Sequence, residues 1–129
     1  MPEAVKETHA TCGFDGFRKR SDIVVPFRKE KIEKAVQRAV EAVSRNTDMP
    51  GHREIAACIA ARVVEQLNTP GSEYYVYPDD SGKRIPRIED VQDLVEILLA
   101  EHGETMVVAA YKRYRKKREL ARRRIRVRG

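Results

Sequence analysis

Residues 17–32 read FRKRSDIVVPFRKEKI, and this stretch predicts a β-hairpin that leads directly into a helix. Arg20-Ser21-Asp22 is typical of a tight turn, and the β-branched residues Ile23-Val24-Val25 favour a strand. Proline lacks the N–H group that a strand ladder needs, so Pro26 ends the second arm. We therefore expect a hairpin from Phe17 to Phe27.

Four amphipathic helices are predicted after the hairpin. Apolar residues recur at helical spacing from about Lys29 to Arg45 and again from about His52 to Asn68. A third helix starts around Arg87 to Glu89, and a fourth starts near Glu104. Apolar residues become sparse beyond Tyr114, so we expect the end of the fourth helix to leave the core, either as a lone helix or as disordered chain.

The sequence Tyr74-Tyr75-Val76-Tyr77 predicts a third short strand, between the second and third helices. The three strands can then meet as a small antiparallel sheet that caps one end of a four-helix bundle. The predicted fold class is α+β and helix-dominated. We divide the chain into an N-terminal leader (1–16), one domain (17–117) and a basic C-terminal tail (118–129).

Composition excludes several classes of protein. The 129 residues suit one domain, and no apolar run is long enough to span a bilayer. The first residues lack the apolar core of a signal peptide, so we expect a cytoplasmic protein. Cys12 and Cys58 lie in unlike contexts and predict no disulfide framework, and Cys58 is expected in the core.

Charge is distributed unevenly along the chain. Residues 112–129 hold 11 Lys or Arg and one Glu, whereas residues 1–111 hold 15 Lys or Arg and 19 Asp or Glu. A strongly basic tail favours nucleic acid or another acidic surface as a partner. A solvated, frayed helix end explains the same charges equally well.

The common catalytic and metal-binding motifs are missing. The sequence contains no GxxxxGK[ST], GxGxxG or HExxH motif and no Cys-rich zinc ribbon. His9 and Cys12 have a metal-like spacing, but two ligands are too few for a zinc site. No set of nucleophile, base and orienting residue can be identified, so we predict no catalytic residues and no metal ligands.

The cations around the hairpin are the most informative feature. Lys19 and Arg20 lie at the rim of a strand, while Arg28, Lys29 and Lys31 lie at a helix start, where the helix dipole disfavours positive charge. Such crowding is costly unless an anion binds there, and helix N-termini bind phosphate through free N–H groups. The pattern indicates a polyphosphate site, with a solvated charge run as the alternative.

The same residues resemble the opening of the ATP-cone domain. That family begins with Val-x-Lys-Arg-Asp-Gly, followed by a strand, a Phe, and a Lys-Ile pair in the first helix. Residues 17–32 here share the Lys-Arg pair, the strand, the Phe and the Lys-Ile pair. The resemblance continues in RIEDVQDLVE (87–96) and in AAYKRYR (109–115), which is similar to the family's Ala-Tyr-x-x-Tyr-Arg segment. The three blocks occur in the right order and cover about residues 17–117.

The resemblance implies a regulatory domain and not an enzyme. ATP-cones occur mostly at the N-terminus of ribonucleotide reductases, where ATP raises and dATP lowers activity, and a related cone occurs in a transcriptional repressor of reductase genes. The family fold is a four-helix bundle capped by a three-stranded sheet.

The implied ligand is ATP or dATP with Mg²⁺ on the phosphates. The implied partner is a reductase catalytic subunit or a second copy of the chain. A nucleic-acid-binding regulator that uses the basic tail and a vestigial interaction module are the alternatives.

The resemblance also implies seven nucleotide-binding residues: Phe17, Lys19, Arg20, Arg28, Lys31, Ile88 and Lys116. Lys19 and Arg20 match the motif's Lys-Arg pair, which implies contacts with the phosphates and the base region. Lys31 matches a helix lysine that reaches the phosphates, and Phe17 takes the place of the Val, where it can pack on the adenine.

The other three positions match the family less closely. Arg28 lies where the family often has a polar nucleotide contact, Ile88 lies near a threonine that some members use, and Lys116 matches a basic residue near the end of the fourth helix. Ser21-Asp22 replaces the family's Asp-Gly in the turn. Aspartate tolerates the left-handed conformation better than most residues, so the turn can be kept. Its charge, however, lies beside the predicted phosphate site.

Overall fold

The computed structural model describes residues 12–44 and 52–128, and these form a helix-dominated fold with four helices and a small antiparallel sheet. The elements in chain order are β1 (Phe17–Arg18), β2 (Val24–Val25), α1 (Lys29–Ser44), α2 (His52–Asn68), α3 (Ile88–Glu101) and α4 (Thr105–Arg128). The helices predicted from apolar periodicity are confirmed. The predicted end of the first helix at Arg45 lies outside the described residues.

The apolar stripes of the helices form one core. α1 packs against α2 and α4, and α3 packs against the same two helices. Burial of these stripes supplies most of the helices' stability, because isolated helices of this length are marginal in water. No helix in the described ranges is both long and apolar enough to cross a lipid bilayer. The largest fully buried side chains are Val36, Val40, Ile59, Val63, Leu94, Val95, Leu99 and Val107.

The predicted hairpin is present, with shorter strands than expected. Phe17 pairs with Val25, and Arg18 pairs with Val24. The Lys19 backbone is bonded twice across the turn, since its N–H donates to the Ile23 carbonyl at 2.8 Å and its carbonyl accepts the N–H of Asp22 at 2.8 Å. Asp22 has φ +69°, the left-handed conformation that closes this kind of hairpin loop.

The predicted third strand at residues 74–77 is wrong, since the described chain forms a sheet of two strands only. The backbone of this segment is bonded to other partners. The N–H of Val76 donates to the Leu67 carbonyl at the end of α2, and the Val76 carbonyl accepts a hydrogen bond from Arg84 Nε at 2.9 Å. These groups are therefore not available for a strand ladder.

A different segment lies beside β1. Arg87 forms an isolated parallel bridge with Arg18, and the Arg18 N–H donates to the Pro86 carbonyl at 2.9 Å. This single bridge fixes the start of α3 against the hairpin. Ile88 and Glu89 are thereby held close to the turn that carries Lys19 and Arg20.

Residues 12–16, at the end of the predicted leader, pack against the domain. The Phe14 ring is buried, with its centroid 4.7 Å from that of Phe27. Asp15 and Arg84 are joined by two hydrogen bonds of 2.8 Å. The prediction that Cys58 lies in the core is wrong, because its side chain is exposed on α2.

Gly16 is required for the close approach of the chain to β2. Its φ is +155°, and a Cβ atom there would lie 2.6 Å from Val24 Cγ1 and 2.9 Å from the Val25 carbonyl oxygen. We expect Gly16→Ala to lower the free energy of unfolding by about 1–3 kcal/mol, as measured by urea denaturation. Gly103→Ala is the control, because Gly103 has φ +86° with open space around it. Equal losses in the two variants would show that the contact with β2 is unimportant.

Candidate functional site

A cavity of about 360 Å³ opens between the hairpin, α1, the first turns of α3 and the middle of α4. Its volume lies within the range of small-ligand sites in proteins. The hairpin contributes Phe17, Lys19, Arg20 and Val25; α1 contributes Lys31, Lys34, Ala35 and Arg38; α3 contributes Ile88 and Gln92; and α4 contributes Tyr111, Tyr114, Arg115, Arg118 and Glu119.

Five of the seven nucleotide-binding residues predicted from the sequence line this one cavity: Phe17, Lys19, Arg20, Lys31 and Ile88. The other two are placed elsewhere. Arg28 is exposed immediately before α1, and Lys116 is exposed on the outer side of α4. Contact of these two side chains with a nucleotide stays a prediction.

Sequence reasoning missed most of the cations on the helices. Lys34 and Arg38 follow Lys31 at intervals of three and four residues, which places all three on one face of α1. Arg115 and Arg118 follow Tyr111 at the same helical spacing on α4. Lys34 and Arg38 could have been identified from their helical spacing relative to Lys31.

The cavity is strongly cationic. Its described lining carries seven Lys or Arg side chains and one carboxylate, that of Glu119. Two of the arginines, Arg20 and Arg115, form ion pairs with carboxylates. By contrast, no described carboxylate lies within ion-pair distance of Lys19, Lys31 or Lys34. These three ammonium groups converge on the cavity without a fixed counterion among the described residues.

Arg20 joins the hairpin turn to two helices. Its guanidinium lies 2.8 Å from the Glu89 carboxylate, in the first turn of α3, and 3.3 Å from the Glu119 carboxylate on α4. The Arg20 side chain is 40% exposed, so these pairs stabilise the fold only weakly, but they fix its position at the cavity rim.

Arg115, which lines the cavity from α4, is held in place by two carboxylates of α3. It donates to Glu96 at 2.6 Å and to Asp93 at 3.0 Å. Burial alone would lower the pKa of Arg115, but the hydrogen bonds to Glu96 and Asp93 outweigh burial and raise its pKa. The guanidinium therefore remains charged and oriented.

Aromatic and apolar side chains form the floor of the cavity. The Phe17 ring is 2% exposed and stacks on Phe27 with centroids 4.4 Å apart, so only part of its surface faces the cavity. Burial raises the pKa of the Tyr111 hydroxyl, which therefore stays neutral. Arg38 donates to the Tyr114 hydroxyl at 3.3 Å, and the Arg118 guanidinium lies 5.8 Å from the Tyr114 ring centroid.

This combination suits one kind of ligand. An apolar floor can accept a planar group, and several unpaired ammonium groups can accept phosphate oxygens. The lining holds no cysteine, serine or histidine that could act as a nucleophile or base. Within residues 12–44 and 52–128, no three His, Cys, Asp or Glu side chains are grouped so that they could hold a metal ion.

The turn residue Asp22 allows a test of local charge. We expect Asp22→Gly to tighten nucleotide binding by about two- to fivefold, because the change removes a negative charge from the turn that carries Lys19 and Arg20. Asp22→Asn is the matched control. Asparagine removes the same charge, but it keeps a side chain that, like that of aspartate, tolerates the left-handed φ. Calorimetric titration should give similar gains for both. A gain for glycine alone would instead point to backbone strain.

Most of the chain is similar to known proteins. The model of the ATP cone domain family matches residues 17–120. Among curated proteins, the chain is similar to the vitamin B12-dependent ribonucleoside-diphosphate reductases of two Mycobacterium tuberculosis strains, CDC 1551 / Oshkosh and ATCC 25618 / H37Rv. Each is 34% identical over 102 residues, which cover 78% of this chain. The matched segment is 12% of each reductase, so the similarity does not extend over most of the enzyme.

Proposed function

Since the chain belongs to the ATP-cone family, we propose that it is a sensor of adenine nucleotides, in which ATP and dATP compete for the cavity between the hairpin, α1 and α4. The domain is regulatory and not catalytic. Its output in this proposal is a change in association with a partner.

The observation that carries the proposal is that Lys19, Lys31 and Lys34 line one cavity and that none of them forms an ion pair with a described carboxylate. Like charges so placed repel each other, and the repulsion is relieved when a polyphosphate binds between them. The apolar side chains beneath them leave room for the base. Mg²⁺ would be held chiefly by the phosphates, as is usual for magnesium bound with nucleotides.

Nucleotide binding can alter the domain through Arg20. A phosphate that attracts the Arg20 guanidinium competes with Glu89 and Glu119, the two carboxylates that pair with it. Weakening of these pairs would loosen the connection of the hairpin to α3 and α4. A partner that binds the two arrangements differently would then respond to the nucleotide, as linkage requires.

We propose a ribonucleotide reductase as that partner, because the curated relatives are reductases and the similarity is confined to a segment of them. The chain would act either as a detached regulatory subunit or as part of a reductase. The reaction itself would be carried out by the catalytic part of the reductase.

Isothermal titration calorimetry with ATP and dATP tests the proposal. We expect saturable binding of both nucleotides and displacement of one by the other, with affinities in the micromolar range. GTP is the control, because it has the same triphosphate and a different base. A folded protein that gives no heat at about 1 mM nucleotide would contradict the proposal and favour a vestigial interaction module.

A further inference from the structure

A second cavity, of about 410 Å³, lies between the end of α2, residues 73–76 and the start of α3. Its volume, like that of the first cavity, lies within the range of small-ligand sites. Asp90 and Asp93 line the second cavity from α3, whereas Ile88 and Gln92 line the first. These two pairs occupy different sides of the helix, so the first turns of α3 separate the two cavities.

The charged side chains of the second cavity are mostly carboxylates. Glu73, Asp90 and Asp93 line it together with one described cation, Arg87. The Arg87 guanidinium lies 3.5 Å from the Glu89 carboxylate, so part of its charge is compensated within the chain. No described cation lies within ion-pair distance of Glu73 or Asp90. The second cavity is therefore acidic, opposite in charge to the first, and attracts cations.

Two half-buried tyrosines supply the aromatic part of the wall. Tyr75 already contacts a guanidinium of this chain, since that of Arg84 lies 5.0 Å from its ring centroid and 4.7 Å from the ring centroid of Phe14. The Tyr74 ring has no such contact with a described cation or ring. Desolvation, followed by the Glu73 carboxylate, raises the pKa of the Tyr74 hydroxyl, so the hydroxyl stays neutral.

An arginine side chain fits this combination better than other cations do. A guanidinium is planar, so it stacks on an aromatic ring, and its N–H groups can donate to two carboxylates at once. Lysine carries a compact, strongly hydrated ammonium group instead. No described group of three His, Cys, Asp or Glu side chains could hold a metal ion. One side chain contributes little affinity alone, so most of the affinity has to come from the molecule that carries the arginine.

We propose that the second cavity binds the guanidinium group of an arginine side chain on a partner protein. The guanidinium stacks on the Tyr74 ring and pairs with the carboxylates of Asp90 and Glu73. The inference deepens the proposed function, because it names the chemistry by which a partner recognises the domain. The site itself does not depend on nucleotide binding.

An ion pair connects the second cavity to the first. Arg115 lines the first cavity and donates to Asp93 Oδ1 at 3.0 Å, and Asp93 lines the second cavity. A phosphate that attracts Arg115 weakens this pairing and leaves more negative charge for a cation in the second cavity. Nucleotide and arginine therefore strengthen each other's binding, by the same factor in both directions. This coupling rests on the proposed function.

NMR titration of the full chain with N-acetyl-arginine amide, without nucleotide, tests the site. We expect saturable shifts at the backbone amides of Tyr74 and Asp90, with a dissociation constant of about 1–10 mM. N-acetyl-citrulline amide is the ligand control, because it has nearly the same shape without the charge. It should bind at least about fivefold more weakly.

A charge-removing variant tests the placement of the ligand. Asp90→Asn combined with Glu73→Gln should weaken binding of N-acetyl-arginine amide about threefold or more. Both residues are exposed, so the fold should be kept, and circular dichroism checks this. Asp80→Asn combined with Glu65→Gln is the control. It removes the same charge at exposed positions outside both cavities and should bind like the wild type.

The same titration at saturating ATP tests the coupling. The dissociation constant of N-acetyl-arginine amide should fall by about twofold or more. An unchanged constant with ATP bound would overturn the coupling. If ATP itself failed to bind, the proposed function would fail, whereas the titration without nucleotide would still decide the site.

Three results would overturn the arginine site: no saturable shift up to about 50 mM ligand, equal binding of the citrulline compound, or equal binding by the Asp90 and Glu73 double variant. A dissociation constant below about 0.1 mM for the free compound would indicate a small-molecule ligand and overturn the docking of a protein.

Discussion

Replacing Lys19 and Lys31 together by alanine is expected to weaken ATP binding by about 100-fold or more. Both ammonium groups line the cavity and make no ion pair with a described carboxylate, so their charge is available to phosphate. Each charge-assisted hydrogen bond to phosphate contributes about 1.5–3 kcal/mol, and two such losses together exceed a hundredfold change in affinity. Calorimetric titration with ATP measures the effect.

The matched control replaces two lysines that do not line the cavity. Lys83→Ala combined with Lys117→Ala removes the same formal charge, and we expect less than about a threefold change in ATP affinity. Neither lysine is among the nucleotide contacts predicted from the sequence. Equal losses in the two double variants would show that binding depends on overall charge and not on this cavity.

Truncation of Leu99 is expected to cause a large loss of stability. Leu99 is fully buried on α3, at 0% exposure. Leu99→Ala should lower the free energy of unfolding by about 3–4 kcal/mol, because it removes buried methyl groups and leaves a cavity. That loss is a large fraction of the total stability of a small domain. Urea denaturation followed by circular dichroism measures it.

Two control substitutions separate the effect of burial at position 99 from the effect of the chemical change itself. Leu99→Met keeps the volume approximately and should cost less than about 1.5 kcal/mol. Leu120→Ala makes the same chemical change at a position that is 45% exposed and should cost less than about 0.5 kcal/mol. A Leu99→Ala variant as stable as Leu120→Ala would contradict the placement of α3 in the core.

The helices could be predicted because their signal is local. Val36 and Val40 on α1, like Ile59 and Val63 on α2, repeat at the interval that places them on one buried face. The third strand could not be predicted correctly from its β-favouring residues. Its backbone partners, Leu67 and Arg84, belong to segments whose proximity only the folded chain determines.

Only part of the candidate site could be predicted from the sequence. Lys19, Arg20 and Lys31 follow from a short motif, and the structure brings them to one cavity. The pairing of Arg20 with Glu89 and Glu119 joins residues far apart in sequence, and no periodic pattern indicates it. The position of the Arg115 side chain likewise depends on the packing of α3 against α4, which places it beside Asp93 and Glu96.

The most direct test of the nucleotide site is a crystal structure of the protein with ATP. We expect phosphate oxygens within about 3 Å of Lys19 Nζ and Lys31 Nζ, with the base against the apolar floor of the cavity. Both lysine side chains extended into solvent, with ATP absent or bound on another surface, would contradict the proposed nucleotide site.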